Sequence, residues 1–150
     1  MSKTSRERKR LSREENIIQN APYLDYEQRI IGIISDEYLG SYSDKVSTKE
    51  VIITTPVIKH IFKEHPDDFV RIMEGIDTAI AEPSFVFEDN KDKDTLLFVR
   101  ELNENNQKVV VALNTRNDKK HPLNSVITSY IIGPNDLERL TKNNYTVFER

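Results

Sequence analysis

Three histidines carry the most direct chemical potential in this chain: His60, His65 and His121. Imidazole is the side chain whose ordinary pKa lets it give and take protons near neutrality. His60 and His65 stand five residues apart, which on a regular helix separates them by about 140°. One metal ion cannot easily be held by both from a single helix face. His65 lies three residues after Phe62 and four after Ile61, so it continues an apolar stripe into the last turn of a helix. Two roles fit that position: a half-buried residue that bonds a carbonyl and closes the helix, or a group that transfers a proton. His60 turns toward the polar side with Lys63 and Glu64. It reads either as a surface residue or as a phosphate binder and second acid–base group.

Hydroxyls and cations complete the candidate chemistry. In the stretch Val126-Ile127-Thr128-Ser129-Tyr130-Ile131-Ile132, strand alternation puts Val126, Thr128, Tyr130 and Ile132 on one face. Polar groups inside so apolar a strand need partners. Thr128 and Tyr130 could line a cleft beside the histidine helix and bond a phosphate, or simply satisfy a sheet edge. Arg100 shares an apolar face with Leu96, Phe98 and Leu102, and Lys108 opens the following strand. Each could form an ordinary surface ion pair or neutralise a phosphate in a charged transition state. Lys63 and Arg116 are further phosphate candidates, and His121 sits in a loop with Arg116, Lys119 and Lys120. A solvated, charged loop is the plainer account of that group.

The elements that must position these residues are sharpest after residue 50. Val51-Ile52-Ile53 reads as a strand, and Thr55-Pro56 reads as a helix start, since proline at the first helical position loses no needed hydrogen bond. Ile58, Ile61 and Phe62 recur at helical spacing through His65. A second helix follows from Asp67 or Asp68, with Phe69, Ile72, Met73, Ile76 and Ile80 on one face, and Pro83 closes it. Strands are expected at 85–87, 95–102, 108–115 and 125–132. A short helix with an Asn135/Glu138 capping box and a last strand at 145–148 complete the chain. The order from residue 50 is β-α-α-β-β-β-β-α-β, an α+β pattern whose short connections favour adjacent antiparallel strands.

The first 49 residues are expected to form a separate basic arm and a poorly defined α/β extension before a domain at 50–150. Ser12 to Glu15 has the spacing of a capping box for a short helix, and 29–34 reads as a strand. Residues 35–49 read as polar turns. Six of the 22 Lys and Arg residues fall in the first 13 positions, against one of the 25 acids. Arg6, Arg8, Lys9, Arg10 and Arg13 could hold an RNA backbone or another polyanion, while the remainder of the chain is acidic.

Composition narrows the classes. With no cysteine, a thiol nucleophile, a disulfide scaffold and a cysteine-ligated metal are excluded. Walker, dinucleotide, HExxH and nucleophile-elbow patterns are missing too, although carboxylates alone could bind magnesium. Neither a membrane span nor an export segment is legible, so a cytoplasmic domain is expected.

Taken together, VIITTPVIKHIFKEHPDDF (51–69), IAEP (80–83), TLLFVREL (95–102), KVVVALNT (108–115), NSVITSYII (124–132) and YTVFER (145–150) resemble a known family. They are similar to phage-associated nuclease-like domains of the barnase–EndoU–colicin–RelE fold. The resemblance spans roughly residues 50–150. It implies helices packed on a compact antiparallel β-sheet, with a site where the histidine helix meets the concave sheet. It also implies RNA cleavage without a metal or other cofactor, leaving a 2′,3′-cyclic phosphate, often in toxins or phage effectors. On that basis His65 is the first candidate for acid–base work, with Thr128 and Tyr130 in the late polar strand and His60 as a second partner. The glutamate of barnase-like members has no clear counterpart, and the paired histidines of EndoU-like members are not obviously reproduced. RNA, including tRNA, is the expected partner, and a host or phage protein is a second. The competing function is a non-catalytic RNA-binding or protein-binding accessory domain.

Overall fold

The computed structural model describes residues 28–115 and 123–150. The elements run β1 (Gln28–Ile33), α1 (Asp36–Leu39), a 3-10 turn (Gly40–Tyr42), β2 (Glu50–Thr54), α2 (Thr55–Glu64) and α3 (Phe69–Ala81). They continue through β3 (Phe85–Glu88), β4 (Thr95–Glu101), β5 (Asn106–Ala112), β6 (Asn124–Ile132), α4 (Pro134–Asn143) and β7 (Tyr145–Glu149). The seven strands form one sheet in the order β1-β2-β6-β5-β4-β3-β7. This is an α+β fold, and the element order from residue 50 is the one the sequence pattern gives. The expected Ser12–Glu15 helix start lies outside the described residues. Among the described residues no helix is long and apolar enough to cross a membrane.

The sheet departs from the antiparallel expectation at one place. β2 and β6 run parallel, paired only at Val51–Asn124 and Ile52–Ser125. Two helices and three strands separate them in sequence, and that long connection allows a parallel return. Buried Asn124 anchors the junction. Its Nδ2 donates to the carbonyls of Thr48 at 2.7 Å and Glu50 at 2.9 Å, and its Oδ1 accepts from Asn114 N–H at 2.8 Å. Beyond Ser125 the two strands part, and α2 packs against β6.

Residues 28–49 join the same sheet and core. β1 pairs with β2, while Ile34 and Leu39 are fully buried with the main apolar cluster. The segment expected as turns contains α1, whose single turn is too short to show a helical period. α2 and α3 follow the sequence pattern closely. Thr54 precedes α2 in extended backbone, Pro56 occupies its first turn, and Asp68 precedes α3. Burying Ile58, Ile61, Ile72, Ile76 and Ile80 contributes about 1.5–3 kcal/mol per side chain, which clamps both helices to one face of the sheet.

On that face a polar side chain crosses the apolar layer. Gln107 is fully buried, and its Nε2 donates to the Ile72 carbonyl in α3 at 2.8 Å and to Ser129 Oγ at 3.1 Å. Ser129 Oγ in turn donates to the Lys108 carbonyl at 2.8 Å. Helix α3, β5 and β6 are thereby fixed in one register. Gly75 makes room for this: a Cβ there would come within 2.1 Å of Gln107 Oε1 and 2.9 Å of an Arg100 terminal nitrogen.

A Gly75→Ala substitution sets two effects against each other. The helix gains about 1 kcal/mol of propensity, while overpacking a filled core costs about 1–3 kcal/mol. The clash here is with Oε1 of a buried amide whose Nε2 is held by Ile72 and Ser129, so a net loss of stability is expected. Urea denaturation should show a lower midpoint at an unchanged slope, and an equal or higher midpoint would mean that Gln107 can move aside.

Candidate active site

Strand register decides which candidates meet. In the β5–β6 ladder Lys108 pairs with Tyr130, Val109 with Ser129 and Val110 with Thr128. Lys108, Thr128 and Tyr130 therefore share the face opposite to α2 and α3. The register shifts between Val110 and Val111, so that Val126 pairs with Val111 and Ile127 is the extra residue of a β-bulge. Val126 consequently points into the main core, not onto the face of Thr128 and Tyr130 as plain alternation would have it.

Tyr130 is the centre of the cluster. The His65 ring stacks on it with centroids 5.3 Å apart and planes 18° from parallel. The Lys108 ammonium lies 4.7 Å from the centroid of the same ring, within cation–π range. His65 is half-buried and sits just past the end of α2, where its backbone N–H donates to the Ile61 carbonyl at 2.8 Å. That bond is made by the backbone, and the ring lies against Tyr130. This approach is possible because β2 leaves the side of β6 after Ser125.

A cleft of about 270 Å³ continues from Tyr130, walled by Lys108, Ile132, Asp136, Arg139 and Leu140. Its helical wall comes from α4, which starts differently from the Asn135/Glu138 expectation. Pro134 takes the first helical position and Gly133 the cap, so the third position is Asp136. Asp136 Oδ2 accepts from Gly133 N–H at 3.0 Å, and Oδ1 forms an ion pair with Arg139. The Gly133 N–H, then the Arg139 guanidinium, hold the Asp136 carboxyl below its usual range, and Lys108 adds to the effect. Asp136 and Arg139 are the residues that sequence reasoning missed. The Gly-Pro step with an acid three residues after the glycine was the available signal.

Other candidates go elsewhere. Arg100 pairs with Gln107, while Val99 pairs with Lys108, so Arg100 and Lys108 lie on opposite faces of the sheet. Strand alternation sends Arg100 under α3, beside Gly75 and Gln107, away from Lys108, the other phosphate candidate on these strands. His60 and Lys63 are exposed on α2. Thr128 lines a second cleft that shares Lys108 and Arg139 with the first. Arg116 and His121, and the arm residues Arg6, Arg8, Lys9, Arg10 and Arg13, lie outside the described residues.

The arrangement offers an imidazole on a phenol, two cations at a cleft mouth and a carboxylate that fixes one of them. That is suited to a phosphodiester, whose reaction needs proton transfer and charge neutralisation. Residues 28–139 match the family model phage-Barnase-EndoU-ColicinE5/D-RelE like nuclease3, PBECR3. The chain belongs to this nuclease family. The PBECR3 match starts at β1 and ends at Arg139, so it takes in His65, Lys108, Tyr130 and the Asp136–Arg139 pair. No curated protein and no solved structure matches the chain.

The Asp136 clasp has a pH signature. A carboxyl held low when folded contributes stability above its unfolded value, and the contribution is lost as pH falls through the folded value. Asp136→Asn should lower the melting temperature at pH 7, with the gap to the wild type closing below about pH 4. A gap that stays constant down to pH 2 would show that the carboxylate charge is not what holds Arg139 and the helix start.

Proposed function

We propose that this chain is an endoribonuclease that works without a metal and leaves 2′,3′-cyclic phosphate and 5′-hydroxyl ends. The observation that carries the reading is the convergence of His65 and Lys108 on the Tyr130 ring, at a cleft that Arg139 also lines. Membership in the PBECR3 nuclease family supports it, as does the α+β architecture, which is of the kind expected for a barnase- or RelE-like scaffold.

In this reaction the ribose 2′-oxygen attacks the adjacent phosphorus, the bond to the 5′-oxygen breaks, and one proton leaves as another is delivered. His65 exchanges a proton at the reacting oxygens. Lys108 and Arg139 balance the charge that builds on the phosphorane. Tyr130 fixes the imidazole by stacking, and Thr128 continues the polar wall. Asp136 keeps Arg139 in place before substrate arrives, so that less ordering is needed in the transition state. The basic N-terminal arm adds sequence-independent, salt-sensitive affinity for the RNA backbone. A cytoplasmic phage or mobile-element effector acting on tRNA or another structured RNA is the biological setting that fits.

The test is cleavage of end-labelled tRNA and mixed RNA by purified protein with EDTA present. Cyclic phosphate ends are expected. His65→Ala should slow cutting by about 10²–10⁴-fold, the usual contribution of a general acid or base. Lys108→Ala should slow it by about 10²–10³-fold through lost electrostatic stabilisation. Thermal melts of both variants separate chemistry from unfolding. RNA binding without any cleavage by the wild type would instead make the domain a non-catalytic RNA-binding module.

A further inference from the structure

The second cleft lies between the β3–β4 turn, β6 and the C-terminal end of α4, and its volume is about 380 Å³. It shares Lys108, Arg139 and Leu140 with the Tyr130 cleft, so a chain bound at one runs directly into the other. We propose that this second cleft is a base-reading subsite, selective for a nucleobase that carries an exocyclic amino group. That it serves the nucleotide next to the cut phosphate rests on the ribonuclease reading; the base preference itself does not.

Three features point to a base. The floor is apolar, formed by Leu97, Val110 and Ile127. Ile127 is the extra residue of the β6 bulge and stays 44% exposed, so that it adds open apolar surface to that of Leu97 and Val110. An apolar floor suits one face of a heterocycle, and the volume falls within the range of small-ligand pockets.

The wall is already in place. Asn90 N–H donates to Asn144 Oδ1 at 2.9 Å, and Asn90 Nδ2 donates to the Asn143 carbonyl at 3.0 Å. Asn144 Nδ2 is in turn given to the Leu140 carbonyl at 3.1 Å. These bonds fasten the β3–β4 turn to the end of α4, so the cleft does not have to assemble around its ligand.

The lining also carries the acceptors. Asp89 and Asp92 stand at the cleft beside Lys91. Asn90 Nδ2 and the Asn144 amide are spent on the wall, and Asp89 Oδ1 accepts from Lys91 N–H at 3.1 Å, which leaves Asp92, the second Asp89 oxygen and Asn90 Oδ1 as acceptors for a base edge. A carboxylate accepts from an exocyclic amine, as on cytosine N4, and repels the carbonyl that uracil presents at the same position. At the turn end of the cleft the two carboxylates outnumber Lys91, which disfavours a phosphate there. The backbone is thus assigned to Lys108 and Arg139 at the shared mouth and the base to the turn.

The experiment titrates isotope-labelled full-length protein with 5′-CMP, 5′-UMP and inorganic phosphate, following backbone amide shifts. CMP should move the Asn90, Val110, Ile127 and Thr128 signals and bind about tenfold more tightly than UMP, a difference near 1.4 kcal/mol. Asp92→Asn with Asp89→Asn should bring the two nucleotides to equal affinity while the fold is retained. Equal shifts from CMP, UMP and phosphate, or shifts confined to the Tyr130 cleft, would overturn the subsite. CMP selectivity in a protein that cuts no RNA would keep the subsite and remove the ribonuclease.

Discussion

The buried amide of Gln107 is the constraint on which the site depends. It reaches out of β5 to the Ile72 carbonyl in α3 and to Ser129 in β6, and Ser129 returns a hydrogen bond to the Lys108 carbonyl. A polar side chain with no solvent exposure loses its hydration, so every bond it keeps is expensive to break. The consequence is directional. Lys108 follows Gln107 and Tyr130 follows Ser129, so locking the two buried residues on one face aims their neighbours out of the other. The absence of a side chain at Gly75 is part of the same lock.

Two departures from regular structure then shape the face of the candidate site. The bulge at Ile127 lets one strand serve the core with Val126 and the cleft with Thr128 and Tyr130. The separation of β2 from β6 after Ser125 lets the end of α2 bring an imidazole to Tyr130 from the far side of the sheet. α4 closes the open half. Leu137 and Leu140 pack on Phe87, Leu97 and Val99 in a second apolar cluster, while its polar side supplies Asp136 and Arg139 to the cleft. One short helix thus covers apolar surface and provides charge, which its amphipathic pattern permits.

Much of this was legible in the chain. The α2 and α3 stripes, the three successive hairpin-connected strands and the late polar strand follow from period and turn chemistry, because these are local properties. His65, Tyr130, Lys108 and Thr128 were all singled out from residue type and position. What misled was equally local. Strict alternation placed Val126 with Thr128, since a bulge leaves no mark in composition. Asn135 and Glu138 had capping-box spacing, yet proline at position 134 set the helix start two residues earlier. Arg100 and Lys108 were both phosphate candidates by type, and only the paired register puts them on opposite faces.

The sequence by itself determined the elements and their order from residue 50, the exclusion of thiol chemistry and a short roster of candidates for proton transfer and phosphate binding. These depend on side-chain type and on spacings of a few residues. Only the tertiary structure decided that His65 and Lys108 meet on one phenol ring, that Arg100 does not join them and that Arg139 does. Those outcomes depend on strand order, on register and on one inserted residue, and they bring together positions 65, 108, 130 and 139. Contacts at such separations are set by how surfaces bury against one another, a quantity that no local pattern contains.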